Sequence, residues 1–174
     1  VAAVFHFQSD RLTMLRFGDH PRLPEVRALE ALQARYFGEL YRPLYREGSC
    51  FLVPEKSHDA FAAECAGEQP GIVLWGDSHA AHLWPGLKAA TRRGEAAQWT
   101  ASGCPPLIGE AFAKRPHCSV INEWVLRRLL ETRPQILILA GAWVKHDEAT
   151  IRRGLAETLS RLNTDPSWRP RIVL

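Results

Sequence analysis

Short apolar runs alternate with longer amphipathic segments through the second half of the chain. Continuous apolar runs are typical of strands buried in a parallel sheet, and apolar residues three or four positions apart are typical of helices. From residue 71 the pattern predicts a strand at 72–75, a helix within 79–93, a strand at 96–100, a helix at 121–132, a strand at 135–140, a helix at 148–163 and a strand from 171. The uninterrupted run 136–139 predicts a strand buried on both faces. Since strands that alternate with helices pair in parallel, we predict an α/β fold with three layers, a parallel sheet flanked by helices.

Residues 1–70 follow a less regular pattern. Residues 1–24 show no sustained periodicity and end with two prolines, so we interpret them as a linker or arm. Apolar side chains recur at helical spacing within 25–37, which predicts one helix, and residues 25–70 together are interpreted as a helical and irregular cover beside an α/β domain at 71–174. Because the chain begins with valine and ends on a strand-like run, we expect both ends to be cuts and the α/β domain to be truncated at its carboxyl end.

The composition fits one main domain with a core of ordinary size. The chain has 174 residues, of which 46% are hydrophobic, and a net charge of +3. Its arginine pairs are scattered at 92–93, 127–128 and 152–153 and form no basic stripe, which argues against nucleic-acid binding. The sequence also lacks an apolar run of the roughly 18 residues that a membrane span needs, a metal-ligand cluster and a dinucleotide-binding fingerprint. We therefore expect this domain to bind no metal and no cofactor.

The tetrapeptide Gly76-Asp77-Ser78-His79 directly follows the first predicted strand. A serine placed where a buried strand turns into a helix exposes its hydroxyl at the carboxyl edge of the sheet, and the first free amides of the helix point toward any negative charge that forms there. Ser78 is therefore a candidate nucleophile for acyl transfer. The same residues also fit a plain turn, in which glycine adopts a positive φ and a polar residue caps the helix.

Two further loops are expected at the same edge, because ligands of open parallel sheets bind beyond the carboxyl ends of the strands. Ser102-Gly103 follows the second predicted strand, and Gly141-Ala142-Trp143 follows the third. A glycine at 103 lets a substrate oxygen approach the backbone, although a plain turn glycine before Cys104 is an equal interpretation. The topology therefore gathers three loops around Ser78.

Four cysteines are spaced as two local pairs. None has the C-x-x-C spacing of a redox or zinc site. Of three connectivities we favour Cys50 with Cys65 and Cys104 with Cys118, because each bridge closes a short loop, which stabilises by about 3 kcal/mol in the chain-entropy model. Such bridges imply an oxidising compartment. Four buried reduced thiols in a cytosolic protein are the alternative.

A longer stretch around Ser78, residues 74–87, resembles the first block of the SGNH hydrolase superfamily. The resemblance is closest to the SGNH domain that follows the membrane acyltransferase-3 module in bacterial envelope acyltransferases. Further segments resemble the same family in the same order: Cys50-Phe51-Leu52, Cys65, 101–107, Cys118 and 136–143. The resemblance covers roughly residue 45 to the end of the chain and implies a flavodoxin-like, three-layer SGNH fold.

The resemblance also implies roles for residues at the carboxyl edge. Ser78 would be the nucleophile, and its own amide and that of Gly103 would be the oxyanion donors. Gly76 and Asp77 would support the turn, since a carboxylate one residue before the nucleophile points away from it and bonds to backbone amides. The third block lacks the asparagine found in many members, so the number of oxyanion donors stays open at two or three. The candidate pocket-lining residues are His79, His82 and Trp143.

The general base and its orienting acid are not identified in this sequence. The family carries them in a late Asp-x-x-His pair, and residues 1–174 contain no such pair. His58-Asp59 and His146-Asp147 have the wrong spacing and order, and imidazoles at 79 and 82 on the predicted helix do not reach back to Ser78. We expect the pair to lie beyond residue 174, and we therefore expect the chain as given to be nearly inactive.

In function, the resemblance implies a periplasmic domain of an inner-membrane protein that O-acetylates an envelope glycan, such as lipopolysaccharide or another cell-surface polysaccharide. Residues 1–24 would link this domain to a fused membrane acyltransferase module, and acetyl-CoA would supply that module with acyl groups. A secreted carbohydrate O-acetylesterase would form the same acyl-serine and differ only in using water as the acceptor. A noncatalytic or degenerate glycan-binding SGNH domain is a third interpretation.

Overall fold

A computed structural model describes residues 23–67 and 70–174 of the chain. These residues belong to two compact units, of which the first ends at Tyr41 and the second spans Arg42–Leu174. Every helix in the described ranges is too short or too polar to cross a membrane. The division of the chain at residues 24 and 70 stays a prediction.

The first unit contains the helix that the sequence predicts at 25–37. α1 spans Leu23–Arg35 and continues as one π-helical turn, Tyr36–Leu40. The described part of this helix begins at Leu23, two residues before the predicted start, and includes Pro24. Residues 1–22 of the predicted arm lie outside the described residues.

The remaining helices and strands begin at Tyr41, and from residue 72 strands and helices alternate. The elements are α2 (Tyr41–Tyr45), β1 (Phe51–Leu52), β2 (Ile72–Gly76), α3 (Ser78–Ala90), β3 (Ala96–Ala101), α4 (Cys118–Thr132), β4 (Ile136–Ala140), α5 (Glu148–Leu162) and β5 (Arg171–Val173). Single 3-10 turns lie at His58–Ala60, Ala63–Cys65 and Trp143–Lys145. From β2 to β5 every element lies close to its predicted range. The hydrophobic pattern does not predict α2 and β1, because five and two residues are too few to show a period.

The described strands form one five-stranded parallel sheet in the order β1-β3-β2-β4-β5. The predicted α/β fold is therefore confirmed. β2 lies at the centre, where Gly76 is in register with Thr100 on β3 and with Ala140 on β4. The carboxyl ends of these three strands consequently meet at one edge of the sheet, and the loops that follow them are neighbours.

Helices cover both faces of the sheet. On one face α4 and α5 enclose the larger core, to which the strands contribute Trp75 and Leu139. On the other face α3 packs through Ala80 and Trp84 over Leu74. α3 therefore lies over the central strand β2, and its first residue lies at the carboxyl end of that strand.

β4 is less buried than its apolar sequence predicts. Leu137 and Leu139 are buried, whereas the alternate residues Ile136, Ile138 and Ala140 are only partly buried. The prediction that the run 136–139 is buried on both faces is therefore wrong for one face. The physical reason is the smaller cluster beneath α3, which covers that face of β4 incompletely.

Both predicted disulfides are present, Cys50–Cys65 and Cys104–Cys118, each with a Cα–Cα distance of 5.3 Å. Close to the second bridge, the buried Asn122 accepts a hydrogen bond from Trp75 Nε1 at 3.0 Å and donates one to the Pro105 carbonyl oxygen at 2.9 Å. The bridge and Asn122 together fix the loop between β3 and α4 against the sheet.

Candidate active site

Ser78 begins α3 directly after the tight turn that ends β2. Gly76 forms this turn at a φ of +152°, a conformation that residues with side chains rarely adopt. A Cβ on Gly76 would also overlap the carbonyl oxygen of Ala140 on the neighbouring strand. Glycine at this position therefore lets β2 lie flush against β4 and turn at once into the helix that carries the half-buried Ser78.

Asp77 joins this turn to the loop that follows β4. Its side chain is 1% exposed, and its two oxygens accept hydrogen bonds from the amides of His79 and Ala142, both at 2.7 Å. The bond from His79 caps the amino end of α3, and the bond from Ala142 connects positions 65 residues apart. Because both oxygens are engaged by backbone amides, the geometry fits a supporting carboxylate better than the acid of a catalytic triad.

Two backbone amides beside this turn are free to bind an oxyanion. In the part of the chain that the structure describes, neither the Ser78 amide nor the Gly103 amide donates a hydrogen bond to a protein acceptor. Gly103 has a φ of +62°, the left-handed conformation that glycine adopts readily. The Ala142 amide is already bonded to Asp77. The amides of Ser78 and Gly103 are therefore available as oxyanion donors, whereas the Ala142 amide is engaged.

A cavity of about 570 Å³ opens at this edge of the sheet. Its lining includes residues from all three loops that the sequence analysis gathers around Ser78, namely Ser78, Ser102, Gly103 and Ala142. Within residues 23–67 and 70–174, no three histidine, cysteine, aspartate or glutamate side chains are grouped so as to hold a metal ion. The features assembled at the cavity are a serine hydroxyl and two free amides.

Residues 110–115 and 145–147 also line the cavity, and the sequence analysis did not place them there. The rings of Phe112 and His146 meet edge to face with their centroids 5.1 Å apart, which joins the two segments. Asp147 does not orient His146, because its carboxylate accepts from the Thr150 amide at 2.9 Å and so caps α5. That same bond lowers the pKa of Asp147. One sequence signal could have predicted this position for residues 110–115: they lie between Cys104 and Cys118, whose bridge closes the loop beside Gly103.

Three candidate side chains are absent from the cavity lining: His79, His82 and Trp143. His79 turns back to Asp77, with Nδ1 3.4 Å from Oδ1. His82 lies one turn further along α3 against the Tyr45 ring, and partial burial, followed by the nearby His79, lowers its pKa. The Trp143 ring instead packs across the backbone of Gly141. His82 lies about one helical turn along α3 from Ser78, roughly 5 Å further from the site along the helix axis.

Comparison with known proteins agrees with this architecture. A solved structure titled "Structure of Salmonella ser. Paratyphi A lipopolysaccharide acetyltransferase periplasmic domain" is similar to this chain with a TM-score of 0.60 and 20% sequence identity. The match covers 79% of this chain and 56% of that one, so this chain spans little more than half of its relative, and the likeness shows a shared fold. No curated protein matches the chain. A family model described as "SGNH domain (fused to AT3 domains)" matches residues 47–168, and the chain therefore belongs to this family of SGNH domains.

Proposed function

We propose that Ser78 is the nucleophile of an acyl-transfer reaction. The observation that supports this proposal is the position of Ser78 at the amino end of α3, in a cavity that it shares with two unbonded amides. Amides that are held in place before the reaction stabilise the charge that develops on a carbonyl oxygen. One such donor raises kcat by a factor of about 10²–10³.

In the first step, Ser78 Oγ attacks the carbonyl carbon of the acyl donor while its proton passes to a general base. The amides of Ser78 and Gly103 donate to the oxyanion of the tetrahedral intermediate. Collapse of the intermediate breaks the bond to the donor's leaving group, which takes the proton, and leaves acyl-Ser78. The base is expected from an Asp-x-x-His pair, a motif that residues 1–174 do not contain.

In the second step, a hydroxyl of the acceptor attacks the acyl carbon and loses its proton to the base. The bond from the acyl carbon to Ser78 Oγ then breaks, and the base returns the proton to Oγ. We infer that the acceptor is a cell-surface glycan and the acyl group is acetyl. The AT3 fusion in the family description and the printed title of the Salmonella relative support this inference. The two disulfides agree with an oxidising compartment such as the periplasm. A membrane module would pass acetyl groups from acetyl-CoA to Ser78.

The test compares O-acetylation of envelope glycans in cells that make equal amounts of the wild-type protein, S78A or S160A. Ser160 is an exposed serine on α5, so S160A is a matched control for removing a hydroxyl. We expect S78A to lose glycan acetylation and S160A to keep it. Unchanged acetylation in S78A would overturn the proposal. Ser78-dependent release of free acetate with no acetylated glycan would instead identify an esterase.

A further inference from the structure

Arg115 carries a charge that is buried without a partner. The residue is 6% exposed, and its three guanidinium nitrogens are buried and donate to no acceptor in the described part of the chain. Burial lowers the pKa of this guanidinium, and the negative charge of Glu55 opposes the shift. Arginine is almost never fully buried unless it is paired. An unpaired guanidinium is therefore costly in the free protein, and a bound anion would compensate it.

The backbone holds Arg115 at the candidate active site. Arg115 lines the cavity that contains Ser78, and its Cγ lies 3.4 Å from the position that a Cβ on Gly103 would take. The Cys104–Cys118 bridge connects the residue after Gly103 with a residue three positions beyond Arg115. Backbone bonds from the Arg115 amide to the Phe112 carbonyl at 2.8 Å and from the Cys118 amide to the Arg115 carbonyl at 3.0 Å close the turn. Arg115 is consequently built into the site by covalent and backbone constraints.

Each of the three acidic residues that line the cavity already has a partner. Asp77 accepts from two amides, and Asp147 caps α5. Glu110 pairs with Arg153, with 3.2 Å between Oε1 and Nε. The exposed Lys114 and Lys145 have no such partner among the described residues, and neither does Arg115. The charged side chains of the lining are three carboxylates and three cations, so their formal charges balance. Among them the Arg115 guanidinium is buried without a hydrogen bond, and an anionic group on a ligand would supply one.

We propose that Arg115 is an anion-recognition residue, and that its guanidinium binds a carboxylate or phosphate group on the glycan whose hydroxyl lies at Ser78. Guanidinium binds either group through two parallel hydrogen bonds, which fixes the orientation of the ligand. No hydrogen bond restrains the side chain in the free protein, so turning it toward the cavity breaks none. This inference rests on the proposed function, in which a glycan accepts the acyl group, and adds that this glycan is acidic.

Binding of monosaccharides to the 174-residue chain tests this proposal. The ligands are glucuronate, glucose 6-phosphate and neutral glucose, measured by calorimetry or chemical-shift titration with wild type, R115M and R127M. Arg127 is an exposed arginine on α4, so R127M is a matched control. We expect one or both acidic sugars to bind at least about tenfold more tightly than glucose, and R115M alone to remove that preference. The tighter of the two identifies carboxylate or phosphate as the preferred group. Equal binding of glucose, or acidic-sugar binding that survives in R115M, would overturn the proposal.

Thermal unfolding separates recognition from a structural role. Methionine fills a similar volume without charge, so R115M should unfold at a higher temperature than wild type when no ligand is present. The preferred acidic sugar should raise the melting temperature of wild type and R127M but not that of R115M. A lower melting temperature for ligand-free R115M would show that Arg115 is needed for the fold and would overturn the proposal.

The S78A variant separates failure of this proposal from failure of the proposed function. S78A should bind the acidic sugar as wild type does, because the anion meets Arg115 and not the serine hydroxyl. If Arg115-dependent binding occurs while S78A still acetylates glycan, only the role of Ser78 fails. If S78A abolishes acetylation while acidic and neutral sugars bind equally, only the role of Arg115 fails.

Discussion

Replacing Asp77 by alanine tests how the turn at Ser78 is held. The buried carboxylate bonds the start of α3 with one oxygen and the loop after β4 with the other, through two 2.7 Å hydrogen bonds. Removing the carboxylate deprives both amides of their acceptor. Because Ala142 is itself buried, water does not readily replace the acceptor there.

The expected size of the effect follows from these two bonds. A hydrogen bond to a charged group contributes about 1.5–3 kcal/mol, so loss of both should lower the free energy of unfolding by about 3–6 kcal/mol. Asp77→Asn keeps one acceptor oxygen and turns an amide donor toward the other backbone amide. We therefore expect D77N to be destabilised and to lie between wild type and D77A.

Urea unfolding of the 174-residue chain, followed by circular dichroism with both disulfides intact, measures these differences. D147A is the matched control, because Asp147 also caps a helix but is exposed and bonds only within the first turn of α5. We expect D147A to lose less stability than D77A. A D77A protein that unfolds within about 1 kcal/mol of wild type would refute the bridging role of Asp77.

Three further predictions follow from the same region. Gly76→Ala should give no soluble folded protein, because its Cβ would overlap the Ala140 carbonyl oxygen; a folded G76A with a native spectrum would contradict this. Replacing Cys104 and Cys118 by serine should cost about 3 kcal/mol in urea unfolding and weaken acidic-sugar binding, whereas the same change at the Cys50–Cys65 bridge should spare binding. His82 should titrate below an ordinary histidine by NMR. Folding favours the neutral imidazole of His82, so its contribution to the free energy of unfolding is complete above the ordinary histidine pKa. That contribution is lost as the pH falls through the lowered pKa of His82 in the folded protein.

The sequence was informative where a local pattern determines the structure. β2 and the turn at Ser78 were predictable because an apolar run meets glycine and a capping residue, and both disulfides were predictable because the cysteines are paired by spacing. The β4 run was misjudged because burial on a face depends on the helix that covers it, and hydrophobic residues alone do not report that cover.

Contacts between distant segments were beyond the reach of the sequence. The hydrogen bond from the Ala142 amide to Asp77 spans 65 positions, and no local sequence pattern predicts it. Arg115 reaches the site because a bridged loop folds back over Gly103, so its importance depends on a conformation and not on a motif. His146 lies in the cavity although its spacing to Asp147 does not resemble the family's catalytic pair.

The most direct test of the central claim is to locate the acyl group during turnover. The protein as the cell makes it is supplied with acetyl donor, quenched in acid and digested, and the peptide that contains Ser78 is analysed by mass spectrometry in wild type, S78A and S160A. We expect an acetyl ester on Ser78 in wild type and S160A that disappears as glycan becomes acetylated. Acetylated glycan formed by S78A, or an acyl intermediate on a different residue, would contradict it.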